Sequence, residues 1–151
     1  MLILLLLQQV IYPNRLDNFT RQFFDKITQI MRFLELNHAL DLVNNEIDRP
    51  VNWIWYDKLS PGEVQRLAFV RLFLYHPMIA FLDEATSAIS FEQEKKIYEE
   101  CKRQNITLVS CGHRSTLLDY HDVILKMQTN DVSSNESSSA SSWTMQRIKK
   151  S

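Results

Sequence analysis

Apolar residues fall along this chain in two rhythms, and the alternation between them lays out its elements. Phe23, Phe24, Ile27, Ile30, Met31 and Leu34 recur at three- and four-residue steps. That period predicts an amphipathic helix from Asn18 or Thr20 to Leu36, with a second, short helix over His38 to Val43. Trp53, Trp55 and Tyr56 predict a half-buried extended segment. Ser60-Pro61-Gly62-Glu63 then reads as a capping box, with Ser at the N-cap, Glu at N3 and Pro at N1, where a missing N–H costs nothing. Val64, Leu67, Ala68, Phe69, Leu72 and Phe73 continue it as a broad apolar helical stripe, and Pro77 forbids continuation.

Met78 to Leu82 is wholly apolar and short, which predicts a strand covered on both faces of a parallel sheet. Ser90-Phe91-Glu92-Gln93 reads as a second capping box opening a helix that runs to about Arg103. The charges Glu94, Lys95, Lys96, Glu99 and Glu100 are most simply its solvated face. Ile106 to Ser110, Val123 to Met127 and Trp143 to Lys149 predict three further strands. Between the last two, DVSSNESSSASS (Asp131 to Ser142) has too little apolar area to offset the entropy of ordering, and is expected to be a disordered linker. Strands alternating with helices indicate an α/β fold with a parallel sheet and an attached helical lobe.

Composition narrows the picture in three places. At 151 residues, 45% hydrophobic and 23% charged, the chain suits one modest globular domain. A net charge of -1 gives no reason to expect nucleic acid as a partner, and the aromatics at Trp53 to Tyr56 lack the basic interleaving of a base-stacking platform. Cys101 and Cys111 form no CxxC pair and no metal set with the scattered histidines, and read as reduced thiols. Met1 to Leu7 is apolar but far short of the ~20 residues that span a bilayer. It has neither the positive start nor the cleavage site of a signal peptide, and is expected to be a strand or helix from a core. Gln8 and Gln9 carry no assignment.

The candidate chemistry lies at the end of the apolar strand. Ligands of open α/β sheets bind at the carboxyl ends of strands, where Asp83 and Glu84 stand. A helix N-terminus that attracts anions, together with an acidic pair able to hold Mg²⁺, points to a nucleoside triphosphate. The two glycines, Gly62 and Gly112, lie fifty positions apart. A phosphate-cradling P-loop, GxxxxGK[ST], needs two glycines in one short turn, so this chain contains none.

LSPGE followed by VQRLAFVRL resembles the signature motif and helix of the ATPase domain of ABC transporters, whose usual form is LSGGQ. IAFLDEATSA resembles the Walker B strand with its catalytic glutamate and the start of the D-loop. NITLVSCGHRS resembles the region of the histidine switch, at His113. The resemblance covers roughly Gln9 to Ser151 and implies a partial P-loop NTPase domain with a parallel sheet and helical subdomain, the P-loop portion missing. Residues 1–130 would be the C-terminal portion of the ATPase domain, 131–142 the serine-rich linker and 143–151 a terminal segment. VIYP, LSPGE and GHRSTLLDYH are similar to the subfamily D half-transporters. WIWYD is most similar to the lysosomal cobalamin branch, whose sibling branch imports fatty acyl-CoA into peroxisomes.

In that family two ATPase domains close head to tail around two ATP molecules. The resemblance implies that Ser60, Gly62 and Glu63 bind the partner's ATP in trans, Ser60 by its hydroxyl and the other two by backbone N–H groups, while Ser60 also caps its helix. It implies Asp83 as the Mg²⁺ residue, acting through water, and Glu84 as the general base. His113 would contact the γ-phosphate, and Ser87 and Ala88 would belong to the D-loop. Two departures stand out: Pro61 occupies one of the signature's glycine positions, and Ser90 replaces the usual aspartate of the D-loop.

The implied activity is ATP hydrolysis coupled to transport across an organelle membrane, on its cytosolic face (peroxisomal, lysosomal or ER). The implied cofactors are ATP and Mg²⁺, and the implied partners a second ABC ATPase domain and a transmembrane domain that this sequence does not contain. Without a P-loop the isolated chain is expected to be inactive. Two other readings stay open: a non-hydrolysing fragment that docks on and regulates an intact half-transporter, and an inactive remnant.

Overall fold

A computed structural model describes residues 4–12, 20–128 and 142–148. The chain divides into two compact units, Met1–Gly112 and His113–Ser151. The first begins with strand β1 (Leu4–Leu5), which pairs antiparallel with β2 (Pro50–Val51) and runs directly into helix α1 (Leu6–Ile11). Leu6, Leu7, Val10 and Ile11 are almost fully buried, so the end of the apolar N-terminal run joins a core, while residues 1–3 of that run lie outside the described residues. Helix α2 spans Arg21–Phe33, and the Thr20 hydroxyl accepts from the Phe23 N–H at its N-cap. Ile27 and Met31 face inward, as their spacing required. Helix α3 (Asn37–Asp41) follows and buries Ala39 and Leu40.

The aromatic segment departs from expectation. Trp55–Asp57 is a turn of 3₁₀ helix, with Trp55 buried and set edge-to-face against Trp53 at 6.1 Å. The Leu59 N–H closes back onto the Trp55 carbonyl at 3.0 Å, tightening the chain just before helix α4 (Pro61–Tyr75). Helix α4 is apolar nearly all round because it is held from several sides. Leu67, Phe69, Val70, Phe73 and Leu74 are buried, Arg71 Nε donates to the Gln9 carbonyl at 2.6 Å, and the Tyr75 hydroxyl donates to the Ile11 carbonyl. His76, in left-handed conformation at φ 46, ends the helix ahead of Pro77.

Strands β3 (Ile79–Asp83) and β4 (Thr107–Cys111) pair in parallel, with Ala80 opposite Leu108 and Asp83 opposite Cys111. They are joined by helix α5 (Phe91–Arg103), giving a βαβ crossover. Ile97, Tyr98 and Cys101 of α5 are buried, and the Tyr98 hydroxyl lies 3.1 Å from the Ser110 hydroxyl on the sheet face that carries Ala80 and Leu82. Burial pushes the Cys101 thiol up to about 12, with a smaller contribution from nearby Glu100, so it stays protonated.

The opposite sheet face corrects the expectation of a strand covered on both sides. Phe81 is 81% exposed, and Ile79 and Val109 are about half exposed. Among the described residues the parallel sheet has only two strands, and its open face adjoins an apolar groove of about 410 Å³ lined in part by Phe69, Leu72, Phe81 and Ala85.

The second unit contains a 3₁₀ segment (Ser115–Tyr120) and the antiparallel pair β5 (Val123–Gln128) and β6 (Ser142–Arg147). Both fall where the sequence predicts strands, at Val123 to Met127 and from Trp143. The expected linker at 131–142 lies outside the described residues apart from Ser142, which opens β6. No helix among the described residues is long and apolar enough to cross a membrane.

Candidate functional site

The start of α4 is built as its sequence dictates. The Ser60 hydroxyl accepts from the Glu63 N–H at 3.3 Å, and the Glu63 carboxylate accepts from the Ser60 N–H at 2.8 Å and from the Ser60 hydroxyl at 2.7 Å. The other carboxylate oxygen lies 2.9 Å from His38 Nδ1. Burial, the largest single influence, raises the pKa of Glu63, but the hydrogen bonds from Ser60 and His38 together outweigh it and hold the carboxyl below its usual value. Ser60 itself is exposed at the tip of the helix. The Glu63 N–H is taken up by the cap, so it would face a ligand only if that bond were exchanged.

Gly62 is buried for a different reason. A Cβ on it would lie 2.6 Å from the carbonyl oxygen of Ala88. No glycine among the described residues has positive φ, so Gly62 serves close approach of two backbones rather than an unusual dihedral.

That approach brings the second group of residues alongside the first. Asp83 ends β3 and is exposed. Glu84 turns the chain out of the strand at φ 47, a left-handed conformation rare for a residue with a side chain. Its N–H donates to the Cys111 carbonyl at 3.0 Å, extending the strand pairing by one step. Its carbonyl accepts from the Ser87 N–H at 3.2 Å, the Ser87 hydroxyl at 3.0 Å and Gln65 Nε2 at 3.0 Å. Thr86 points inward and donates to Glu94 at 2.8 Å, which corrects the expectation of a solvated Glu94: it is fully buried and takes its hydrogen bond from the Thr86 hydroxyl.

Ser90 caps α5 by accepting from the Gln93 N–H at 3.4 Å. The second capping box stays half made. The Gln93 side chain accepts from Arg66 at 2.8 Å and donates to Glu35 at 2.6 Å instead.

Ser60, Gly62, Glu63, Asp83, Glu84, Ser87 and Ala88 thus lie on two adjoining segments of the first unit. His113 belongs to the second unit, two residues past the end of β4 in the sequence. The sequence did not point to Gln65, whose partners lie 19 to 23 residues away, or to Thr86, whose partner Glu94 lies eight residues on in the next helix. The one available signal was that Gln65 and Arg66 interrupt an apolar helix.

Among the described residues no group of three or more His, Cys, Asp and Glu side chains could hold a metal ion. One carboxylate acting through water is the mode Mg²⁺ accepts beside phosphates, and exposed Asp83 fits that. The sequence contains no P-loop to cradle the remaining phosphates.

No family model matches the chain. It is 43% identical over 122 residues to the human lysosomal cobalamin transporter ABCD4, covering 80% of this chain and 20% of that protein. The mouse counterpart is 39% identical over 144 residues, covering 94% and 22%. The Drosophila melanogaster ATP-binding cassette sub-family D member 1 is 38% identical over 123 residues, covering 80% and 16%. The chain therefore spans about a fifth of the length of these curated relatives. In fold it matches a bacterial Atm1-family ABC exporter with ATP bound, at a TM-score of 0.61 and 24% identity over 80% of this chain and 20% of that one. Motif order and sequence likeness show that the chain belongs to the ABC-transporter family, with subfamily D as its kin.

Proposed function

We propose that the chain supplies the catalytic carboxylates and the signature of an ATPase that couples ATP hydrolysis to transport across an organelle membrane. The observation that carries this reading is the placement of Asp83 and Glu84 at the carboxyl end of a parallel strand, beside a helix whose exposed N-cap is Ser60. In this reading Asp83 holds Mg²⁺ through water. Glu84 orients and deprotonates the attacking water as general base, a role worth roughly 10²–10⁴-fold. Ser60 gives up its bond to Glu63 to meet the γ-phosphate of a partner domain's ATP, with the amide ends of Gly62 and Glu63 behind it. His113 contacts the γ-phosphate, and Ser87 and Ala88 act at the junction between domains.

The likeness to lysosomal and sub-family D transporters supports the cytosolic face of an organelle membrane as the place of action. A second ATPase domain and a transmembrane domain are the corresponding partners. Residues 1–130 form the ATPase portion, 131–142 a linker and 143–151 a terminal segment.

The test has two arms. The 151-residue chain alone hydrolyses no ATP above background, because it has no P-loop lysine and amides to hold the β- and γ-phosphates. A chimera carrying the P-loop half of a subfamily D ATPase domain fused at Gln9 hydrolyses Mg-ATP, and Glu84→Gln abolishes that turnover. Mg-dependent turnover by the chain alone, or a chimera indifferent to Glu84→Gln, overturns the reading.

A further inference from the structure

Gln65 stands just inside the N-terminus of α4, half-buried, and its carboxamide meets the loop after β3 at three points. Nε2 donates to the Glu84 carbonyl at 3.0 Å and to the Ser87 hydroxyl at 2.8 Å, while Oε1 accepts from the Ala88 N–H at 2.8 Å. The orientation of the amide is fixed by its partners, since a carbonyl can only accept and a backbone N–H can only donate. Few side chains could replace it: a carboxylate only accepts, an ammonium only donates, and an aliphatic group does neither.

The loop gripped in this way contains the strained residue of the site. Glu84 sits at φ 47, and its carbonyl is the point on which Gln65 and Ser87 converge. Ser87 is held by the same amide, so its hydroxyl bridges Gln65 and Glu84. On the other side the Ala88 carbonyl rests on Gly62, one helical turn before Arg66. A residue in this conformation persists when its surroundings over-determine it, and Gln65 supplies much of that constraint.

We propose that Gln65 is a positioning residue: it fixes the backbone of Glu84, and through it the aim of the carboxylate, by clasping the acidic loop to the signature helix of the same chain. Its catalytic consequence rests on the reading of Glu84 as general base; the clasp itself does not. Because the signature end of α4 would meet a partner's nucleotide while Glu84 serves its own, the clasp also makes the two half-sites of one chain move together.

The test is residue-resolved amide hydrogen exchange on the full 151-residue chain, comparing Gln65→Met, which keeps the shape and loses all three bonds, with Gln65→Glu, which keeps the acceptor for Ala88 and loses both donations. In Gln65→Met the Ala88 amide should exchange about tenfold faster or more, the scale of one lost hydrogen bond with its neighbours. The α5 amides from Glu94 to Cys101 should be unchanged. Gln65→Glu should restore part of the protection at Ala88. Unchanged exchange at Ala88 in Gln65→Met, or equal acceleration along α5, overturns the clasp.

In the chimera with a complete site, Gln65→Met should lower kcat about tenfold or more with KM for Mg-ATP little altered, as expected when a reacting group is misaimed and not lost. A raised KM with unchanged kcat overturns the positioning role. Absence of turnover in the parent chimera would instead count against the proposed function, and the exchange arm would still decide whether Gln65 holds the loop.

Discussion

The Cα of Gly62 and the carbonyl oxygen of Ala88 are packed so closely that a methyl group on the glycine would sit 2.6 Å from that oxygen. The obstacle is backbone, not the end of a flexible side chain, so neither partner can swing aside. The contact joins helix α4 to the loop beyond Asp83 and Glu84, and it is reinforced by the Gln65 bonds one turn further on.

Gly62→Ala should therefore destabilise the chain by about 1–3 kcal/mol, the usual cost of forcing extra volume into a packed site. Helix propensity alone would favour alanine by about 1 kcal/mol, which makes the sign of the change diagnostic. Denaturant unfolding of the two proteins checks this. A variant as stable as the parent would mean that the loop retreats from the helix at little cost.

How much of this site was legible in the sequence depended on how far apart its partners lie. The capping box at Ser60 and Glu63 is a three-residue relation, and the structure makes both of its bonds. The inward face of α2 followed from the helical period for the same reason, whereas Glu94 of α5, whose charge suggested a solvated face, is buried because Thr86 from the loop after β3 meets it. Gln65 was not legible, because the groups it binds are 19 to 23 residues away and nothing in VQRL announces them. Gln93 had the right spacing for a second box, yet Arg66 and Glu35 compete for its amide and win. Trp55 curls into a 3₁₀ turn because burying its ring outweighs the extended alternation.

Phe81 was misjudged in a different way. An apolar run in a βαβ setting implies cover on both faces, but cover depends on neighbouring strands that the run itself cannot report. With Ile79 and Val109 it forms an exposed apolar face beside an open groove. The isolated chain should therefore self-associate, since burying one Phe side chain is worth about 1.5–3 kcal/mol. Phe81→Lys should shift the sedimentation profile toward monomer. A sharp, monomeric two-state melt of the parent chain would refute this.

The Glu63 carboxyl makes stability depend on pH in a defined direction. Its folded pKa is lowered from 4.5. Its contribution is therefore present above the unfolded value and is lost as pH falls through the lower, folded value. Lowering the pH from 7 to below 4.5 should cost the parent chain more stability than it costs Glu63→Gln, in which the charge is absent throughout. Glu35 and Glu100 are also lowered but are common to both proteins, so the difference isolates Glu63. Equal losses would mean that the bonds from Ser60 and His38 do no more for a carboxylate than for an amide.

The roles proposed for Ser60 and Glu84 separate cleanly in the chimera with a complete P-loop half. If Glu84 is the base as proposed, Glu84→Gln removes it and leaves the nucleotide contacts, so turnover should fall by roughly 10²-fold or more with binding retained. The dimer should then accumulate with ATP bound, because the nucleotide joining the domains is no longer consumed. Ser60→Arg should leave ATP affinity of the open domain nearly intact, since the P-loop of that same domain provides most of the contacts. It places a bulky cation at an exposed helix tip where a hydroxyl would meet the partner's γ-phosphate, so it should block ATP-driven dimerisation. Size-exclusion chromatography with Mg-ATP reads both effects: one substitution traps the dimer and the other prevents it. Dimerisation of Ser60→Arg at the parent's ATP concentration would remove Ser60 from the interface, and full turnover in Glu84→Gln would remove Glu84 from the chemistry.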